Sequence, residues 1–342
     1  MKLTSHAARR LAAAAITCTA VLLPAALASA SAAATVGSPA SRARPAHPVT
    51  VYVTNNGSGT VTPIDTATGK GLKAIKVGKY PGAIAITPDG KTAYVITRRG
   101  VVPISTATNT AGKAIKVGRD PSHIAITPNG KTAYVSDSRP GSRRVTPIST
   151  ATNTAGKAIK VGKDPGDIAI TANGKTAYVS RNKGVTAIDT ATGKAGETIR
   201  GVGGFIAITP DGKTAYVAGG NSVTPINIAT NTAGKVIFTG IAAVYVAITP
   251  DGKTAYVANE GCGCIGPPGA ATVTPVSTAT NTAGKAFSGF TGPVYIAITP
   301  NGKTAYVANG GWHTVTPIRT TTSKAGKAIT VGNDPVAIAI TP

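Results

Sequence analysis

Cysteine is nearly absent from this chain, and two of its three cysteines, Cys262 and Cys264, flank a single glycine. So few exclude a fold held together by a framework of disulfides. Long apolar runs are missing after residue 32, which excludes a membrane-spanning helix beyond that point. No sorting or anchoring tail is recognisable at the C-terminal end. Catalytic signatures are equally thin: there is no Gly-x-Ser-x-Gly, no His-Glu-x-x-His and no calcium-loop pattern. The recurrent Gly-Lys-Thr of Gly90–Thr92 imitates the end of a phosphate-binding loop. Ala85 stands where that loop needs glycine, however, and no helical pattern follows. Acidic residues are scarce as well, with 12 Asp and Glu against 35 Lys and Arg.

Residues 1–32 read as a secretory signal peptide. Lys2, Arg9 and Arg10 make a positive start, Leu11–Leu27 is mostly Ala, Leu, Val and Ile, and Ala28-Ser29-Ala30 offers a small-residue cleavage site. A retained membrane anchor is the competing reading, and Pro24 tells against it. Cys18 lacks the context of a lipoprotein cysteine. Residues 33–49 read as a flexible linker, and the expected location is secreted or extracellular, with association to the cell wall in view. Beyond residue 32 the chain keeps 32 basic residues against 12 acidic ones, a net charge near +20. A field of that sign favours anionic partners such as wall polymers, anionic lipid surfaces, acidic glycans or nucleic acid. Secretion and the lack of a recognisable module count against nucleic acid.

What is present is a repeat. Tyr-Val pairs begin at Tyr52, Tyr94, Tyr134, Tyr178, Tyr216, Tyr256 and Tyr306, with spacings of 42, 40, 44, 38, 40 and 50 residues. Ile-Ala-Ile-Thr, or Val-Ala-Ile-Thr, begins at Ile84, Ile124, Ile168, Ile206, Val246, Ile296 and Ile338. A period near 42 with no helical pattern predicts four short strands per unit. These are Ile-Ala-Ile, then Lys-Thr-Ala-Tyr-Val after a Pro-Asp-Gly or Pro-Asn-Gly turn, then Val-Thr-Pro-Ile, then Lys-Ala-Ile-Lys-Val. Lysines on the last strand suit a protected outer edge. The chain stops at Pro342, where a Tyr-Val strand would follow, and residues 48–53 begin with a Tyr-Val strand that has no Ile-Ala-Ile before it. The two deficits match, so one blade is expected to take its innermost strand from Val336–Thr341 and the other three from about Thr50–Val77.

Tyr52-Val53-Thr54-Asn55, the segment VTPIDTAT and the segment IAITPDGKTAYV resemble the YVTN-type β-propeller repeat of secreted and surface-associated bacterial and archaeal proteins, over residues 50–342. The resemblance implies an all-β, seven-bladed β-propeller of four-stranded antiparallel blades, closed by N-terminal strands pairing with the C-terminal strand. It implies no single activity, since related propellers include lactonases, a streptogramin lyase and cofactor-dependent dehydrogenases. Proline in the third strand departs from the pattern, at Pro63, Pro103, Pro147, Pro225, Pro275 and Pro317, with Ala187 in the remaining unit. Its nitrogen is expected to face the fourth strand at a bulge or where pairing has already stopped.

Antiparallel order puts the strand 1–2 and 3–4 turns on one face and the strand 2–3 loops and blade-to-blade links on the other. The first set is nearly uniform and the second varies, so the variable face is the place to look for function. The position before each innermost strand reads Ala83, His123, Asp167, Phe205, Tyr245, Tyr295 and Ala337. These side chains are expected around the mouth of the central channel, either as a shallow ligand cup or as packing between blades. Arg98, Arg99, Arg143 and Arg144, with Arg139, Arg181 and Lys183, are expected to make a basic arc suited to phosphate or carboxylate. Trp312, the only tryptophan, is expected to be an exposed contact residue.

The favoured function is a non-catalytic, binding or scaffold propeller, monomeric, whose variable face contacts an anionic polymer, a glycan or a surface protein. No cofactor, metal or catalytic residue is assigned. The alternative is a hydrolase or lyase, lactonase-like or streptogramin-lyase-like, acting at the channel mouth through His123 and Asp167. For Cys262 and Cys264 a local disulfide is expected first, with free or intermolecular thiols and a metal or redox site as alternatives.

Overall fold

The computed structural model describes residues 49–181, 184–261 and 271–342. The expected signal peptide, nearly all of the expected linker, Lys183, Cys262 and Cys264 lie outside the described residues. Within them every regular element is a strand, and no helix is long and apolar enough to cross a membrane. The strands form seven antiparallel sheets, which are the blades of a β-propeller. Blades 1 to 6 begin with the innermost strands Ile84–Ile86, Pro121–Ile126, Ile168–Ile170, Phe205–Ile208, Ala243–Ile248 and Pro293–Ile298.

Blade 7 is the composite one. Pro335–Ile340 pairs with Thr50–Asn55, with Val51 opposite Ile340 and Val53 opposite Ile338. The ends are stitched further by Thr341 N–H to Thr50 C=O at 3.0 Å and by Asn333 N–H to the Ser58 hydroxyl at 2.7 Å. Pro342 then lies against the Gly90 turn of blade 1, where an added Cβ would sit 3.2 Å from its ring. The same Pro-on-Gly contact joins Pro88 to Gly130, Pro128 to Gly174, Pro210 to Gly252 and Pro250 to Gly302. It is missing at Gly212, where the preceding blade carries Ala172 in place of proline.

The inner strands are buried on both faces because each blade is covered by its neighbours. Ala93, Tyr94 and Val95 in blade 1 and Ala305, Tyr306 and Val307 in blade 6 are all at most 5% exposed. This explains continuous apolar runs where a one-sided sheet would alternate. Burying one such Ile or Val contributes about 1.5–3 kcal/mol.

The Tyr-Val tyrosines also bond across blades. The Tyr52, Tyr94 and Tyr216 hydroxyls donate to Asn109, Asn153 and Asn281 Oδ1 at 2.7, 2.6 and 2.6 Å, and Tyr178 reaches Asn231 at 3.0 Å. Each of those asparagines sits at positive φ in the strand 3–4 turn of the next blade. Asparagine tolerates that conformation while keeping a side chain, so the Ala-Thr-Asn-Thr-Ala-Gly form of the turn adds an inter-blade bond. Where the turn is Ala-Thr-Gly, at Gly193, Tyr134 donates to the Thr190 carbonyl instead.

The proline expectation holds. In blade 7 the fourth strand is split into Lys70–Gly71, opposite Ile64 and Asp65, and Ile75–Lys76, opposite Thr60 and Val61. Pro63 falls in the gap, and its carbonyl accepts Leu72 N–H at 2.7 Å. Blade 3, with Ala187, has an unbroken outer strand, Ala195–Arg200.

Candidate ligand-binding face

In four blades the position that precedes the Ile-Ala-Ile run owes its aim to a local irregularity, whereas in blade 4 Phe205 pairs in regular register with Ala218. In blades 2, 5, 6 and 7 the pairing register shifts there, as between Pro293 opposite Asn309 and Tyr295 opposite Ala308. A bulge of this kind turns a side chain off the alternation of the strand, here inward. Rings then follow one another, His123 to Phe205 at 6.1 Å, Phe205 to Tyr245 at 5.9 Å, and Tyr245 stacked on Tyr295 at 4.0 Å between centroids.

The open cup does not form. His123, Asp167, Tyr245 and Tyr295 are at most 3% exposed, and Phe205 alone is half-buried. The side chains pack between blades instead, because three rings and an imidazole converging on a narrow axis cover one another. His123 Nδ1 lies 2.9 Å from the Ser122 hydroxyl, and its backbone N–H donates to Ser136 Oγ. Its Nε2 has no hydrogen-bond partner. Burial drives its pKa down to about 3, so the ring is neutral at any physiological pH. Asp167 Oδ2 accepts the Ile206 N–H at 2.7 Å, and the Asp167 N–H donates to Ser180 Oγ. The His123–Asp167 acid–base pair is therefore not joined by a hydrogen bond from the imidazole: Nδ1 is turned to Ser122 and Nε2 is unused.

The arginines divide. Arg98 and Arg99 form the two-residue tip of the blade 1 hairpin, closed by Thr97 opposite Gly100, and both are exposed. With Lys76 and Lys79 they line a groove of about 740 Å³ between blades 7 and 1, floored by Val77, Val102 and Ala114. No carboxylate borders it. Arg139, Arg143 and Arg144 are exposed on blade 2 but line neither this groove nor the smaller one beside it. Arg181 is tied down. Its Nη2 donates to Thr198 Oγ1 at 2.5 Å, and it lies over Gly162, where an added Cβ would collide with the guanidinium. Trp312 is 63% exposed, as expected. Its neighbour His313 accepts Asp334 N–H on Nδ1. No group of three His, Cys, Asp or Glu side chains suited to a metal occurs among the described residues.

Two exposed aromatic residues, Tyr80 and Phe238, stand outside the positions that the sequence marks. Tyr80 is 55% exposed with φ of 55°. It lies in a second groove of about 310 Å³ with Asn56, Arg98, Asp120, Ser122 and Ser138. Phe238 is 78% exposed on the outer strand of blade 4, where blades 7 and 2 carry Lys76 and Lys160. Both show as exceptions once the repeats are aligned column by column.

No family model matches the chain, and no curated protein matches it by sequence. Solved structures do resemble it. Hydrazine synthase of Kuenenia stuttgartiensis is 24% identical, with a TM-score of 0.68 over 74% of this chain and 87% of that one. A protein of unknown function from Desulfotomaculum acetoxidans is 20% identical, with a TM-score of 0.71 over 85% of this chain and 98% of the other. A candidate 6-phosphogluconolactonase from Bacteroides fragilis is 20% identical, with a TM-score of 0.70 over 86% and 98%. At these identities the likeness is one of fold, and it makes the chain a seven-bladed β-propeller.

Proposed function

We propose that this protein is a non-catalytic binding propeller of the YVTN type, secreted or associated with the cell surface, whose variable face holds an anionic polymer or acidic glycan. One observation carries the proposal: Lys76, Lys79, Arg98 and Arg99 converge on a 740 Å³ groove that no carboxylate borders. The strand 1–2 turns of the opposite face carry one lysine each, and Lys91 is paired with Asp89 at 3.8 Å. The signal-peptide pattern supports a wall polymer or extracellular glycan as the partner. A hydrolase or lyase at the channel mouth has less support, because His123 is buried and its Nδ1 faces Ser122.

The test is retention on immobilised polyanion. Binding that rests on exposed charges weakens as the Debye length shrinks, so retention is expected to fall steeply between about 50 and 500 mM salt. Retention unchanged over that range would overturn the electrostatic reading.

A further inference from the structure

The two grooves are neighbours, because Thr97 and Arg98 line both. Their chemistry differs. The larger is cationic over an apolar floor. The smaller presents the exposed ring of Tyr80, the carboxylate of Asp120, the amide of Asn56, the hydroxyl of Ser138 and the shared Arg98. On this basis, and resting on the binding function proposed above, we propose that the smaller groove is a sugar subsite. The polymer held along this face is then a uronic-acid glycan, with one sugar ring lying on Tyr80 and its carboxylate on Arg98.

Three features favour a carboxylated sugar over a bare polyphosphate. Asp120 is an acceptor that the hydroxyl donors of a sugar can meet, whereas a phosphate chain at neutral pH would meet it charge against charge. Asn56 and Ser138 add donors and acceptors suited to a ring of hydroxyls. Tyr80 supplies a flat apolar face with a polar tip, the surface that an amphipathic ring covers best.

Tyr80 is also out of place in the repeat. At the corresponding position three other units carry Asp120, Asp164 and Asp334. Asp164 and Asp334 share the positive φ of Tyr80, a backbone state that suits Asp and disfavours an aromatic residue. An exposed ring held in an unfavourable conformation, where three other units use Asp and one uses Ala242 at the same positive φ, is better explained by what it touches than by the fold. Asn56 holds the segment in place by donating its side-chain amide to the Pro81 carbonyl at 3.1 Å.

The experiment is calorimetric titration of the full mature chain and of Tyr80→Ala and Asp120→Asn with three probes: a galacturonic-acid tetrasaccharide, maltotetraose and inorganic polyphosphate. The parent is expected to bind the galacturonate and not the neutral maltotetraose. Tyr80→Ala should weaken the galacturonate by about five- to tenfold, Asp120→Asn by a smaller factor, and neither should weaken polyphosphate. Galacturonate affinity unchanged in both variants would overturn the sugar subsite, as would maltotetraose binding equal to galacturonate. Parallel loss of galacturonate and polyphosphate in Tyr80→Ala would overturn it too, since Tyr80 would then only shape the cationic face. In the first and third of those cases the anionic-binding function stands, whereas equal binding of maltotetraose would count against it too. Failure of both anionic probes to bind the parent at low salt would overturn that function as well.

Discussion

The two faces of the ring are built by opposite rules. On one, six strand 1–2 turns repeat nearly atom for atom: Thr87 bonds Asp89 and Thr92 N–H, and Thr127, Thr171, Thr209, Thr249 and Thr299 do the same in their own blades. On the other, the hairpin at Arg98-Arg99, the Trp312 loop and the Tyr80 link have no two alike. Identical turns are what a packed ring demands, since each must seat against a neighbour of the same shape. Unlike loops carry no such constraint and are free to answer to a ligand.

The structural side of that contrast is broken most severely at the closure. Removing Asn333–Pro342 deletes the innermost strand of blade 7 and exposes the partner strand Thr50–Asn55. Val336, Ala337, Ile338 and Ala339 are all at most 5% exposed, so the loss is expected to exceed about 5 kcal/mol and to lower the melting temperature by well over 10 °C. A ten-residue trim of an undocked end would do almost nothing. An unchanged melting temperature would contradict the closure.

The channel ring gives a smaller, pH-dependent effect. His123 is held neutral in the folded protein with a pKa of about 3, while the unfolded chain protonates near pH 6.5. The unfolded state therefore binds the extra proton between those values, and stability contributed by the neutral ring falls as pH drops through that window. By pH 5 the loss is on the order of 2 kcal/mol. Chemical denaturation of His123→Leu at pH 7 and pH 5 should show that much less pH dependence than the parent. Equal dependence in the two would mean that His123 is not buried as described.

The sequence exposed the blade count, the composite blade and the proline gap because all three are properties of a repeat, and seven copies make any departure visible. Burial of the ring at His123, Tyr245 and Tyr295 was not legible. It depends on how far apart opposite blades sit, and no single unit contains that distance. Tyr80 stands three columns ahead of the ring. Asp120, Asp164 and Asp334 in its column mark it as an exception only when the link before each innermost strand is compared in full. Lys76 and Lys79 precede Arg98 and Arg99 by one blade in the chain, so their convergence depends on how neighbouring blades pack side by side, which no single unit contains.

The central claim is that position on the variable face, not total charge, makes the binding site. A matched pair of triple variants tests it: Lys79→Glu, Arg98→Glu and Arg99→Glu on the variable face, against Lys131→Glu, Lys175→Glu and Lys303→Glu on the uniform turns. All six side chains are exposed, so each triple should change stability by no more than about 0.5 kcal/mol per site, and both change net charge equally. Retention on immobilised polygalacturonate at low salt is expected to be lost in the first triple and kept in the second. Equal loss in both would contradict the claim and leave net charge alone as the cause.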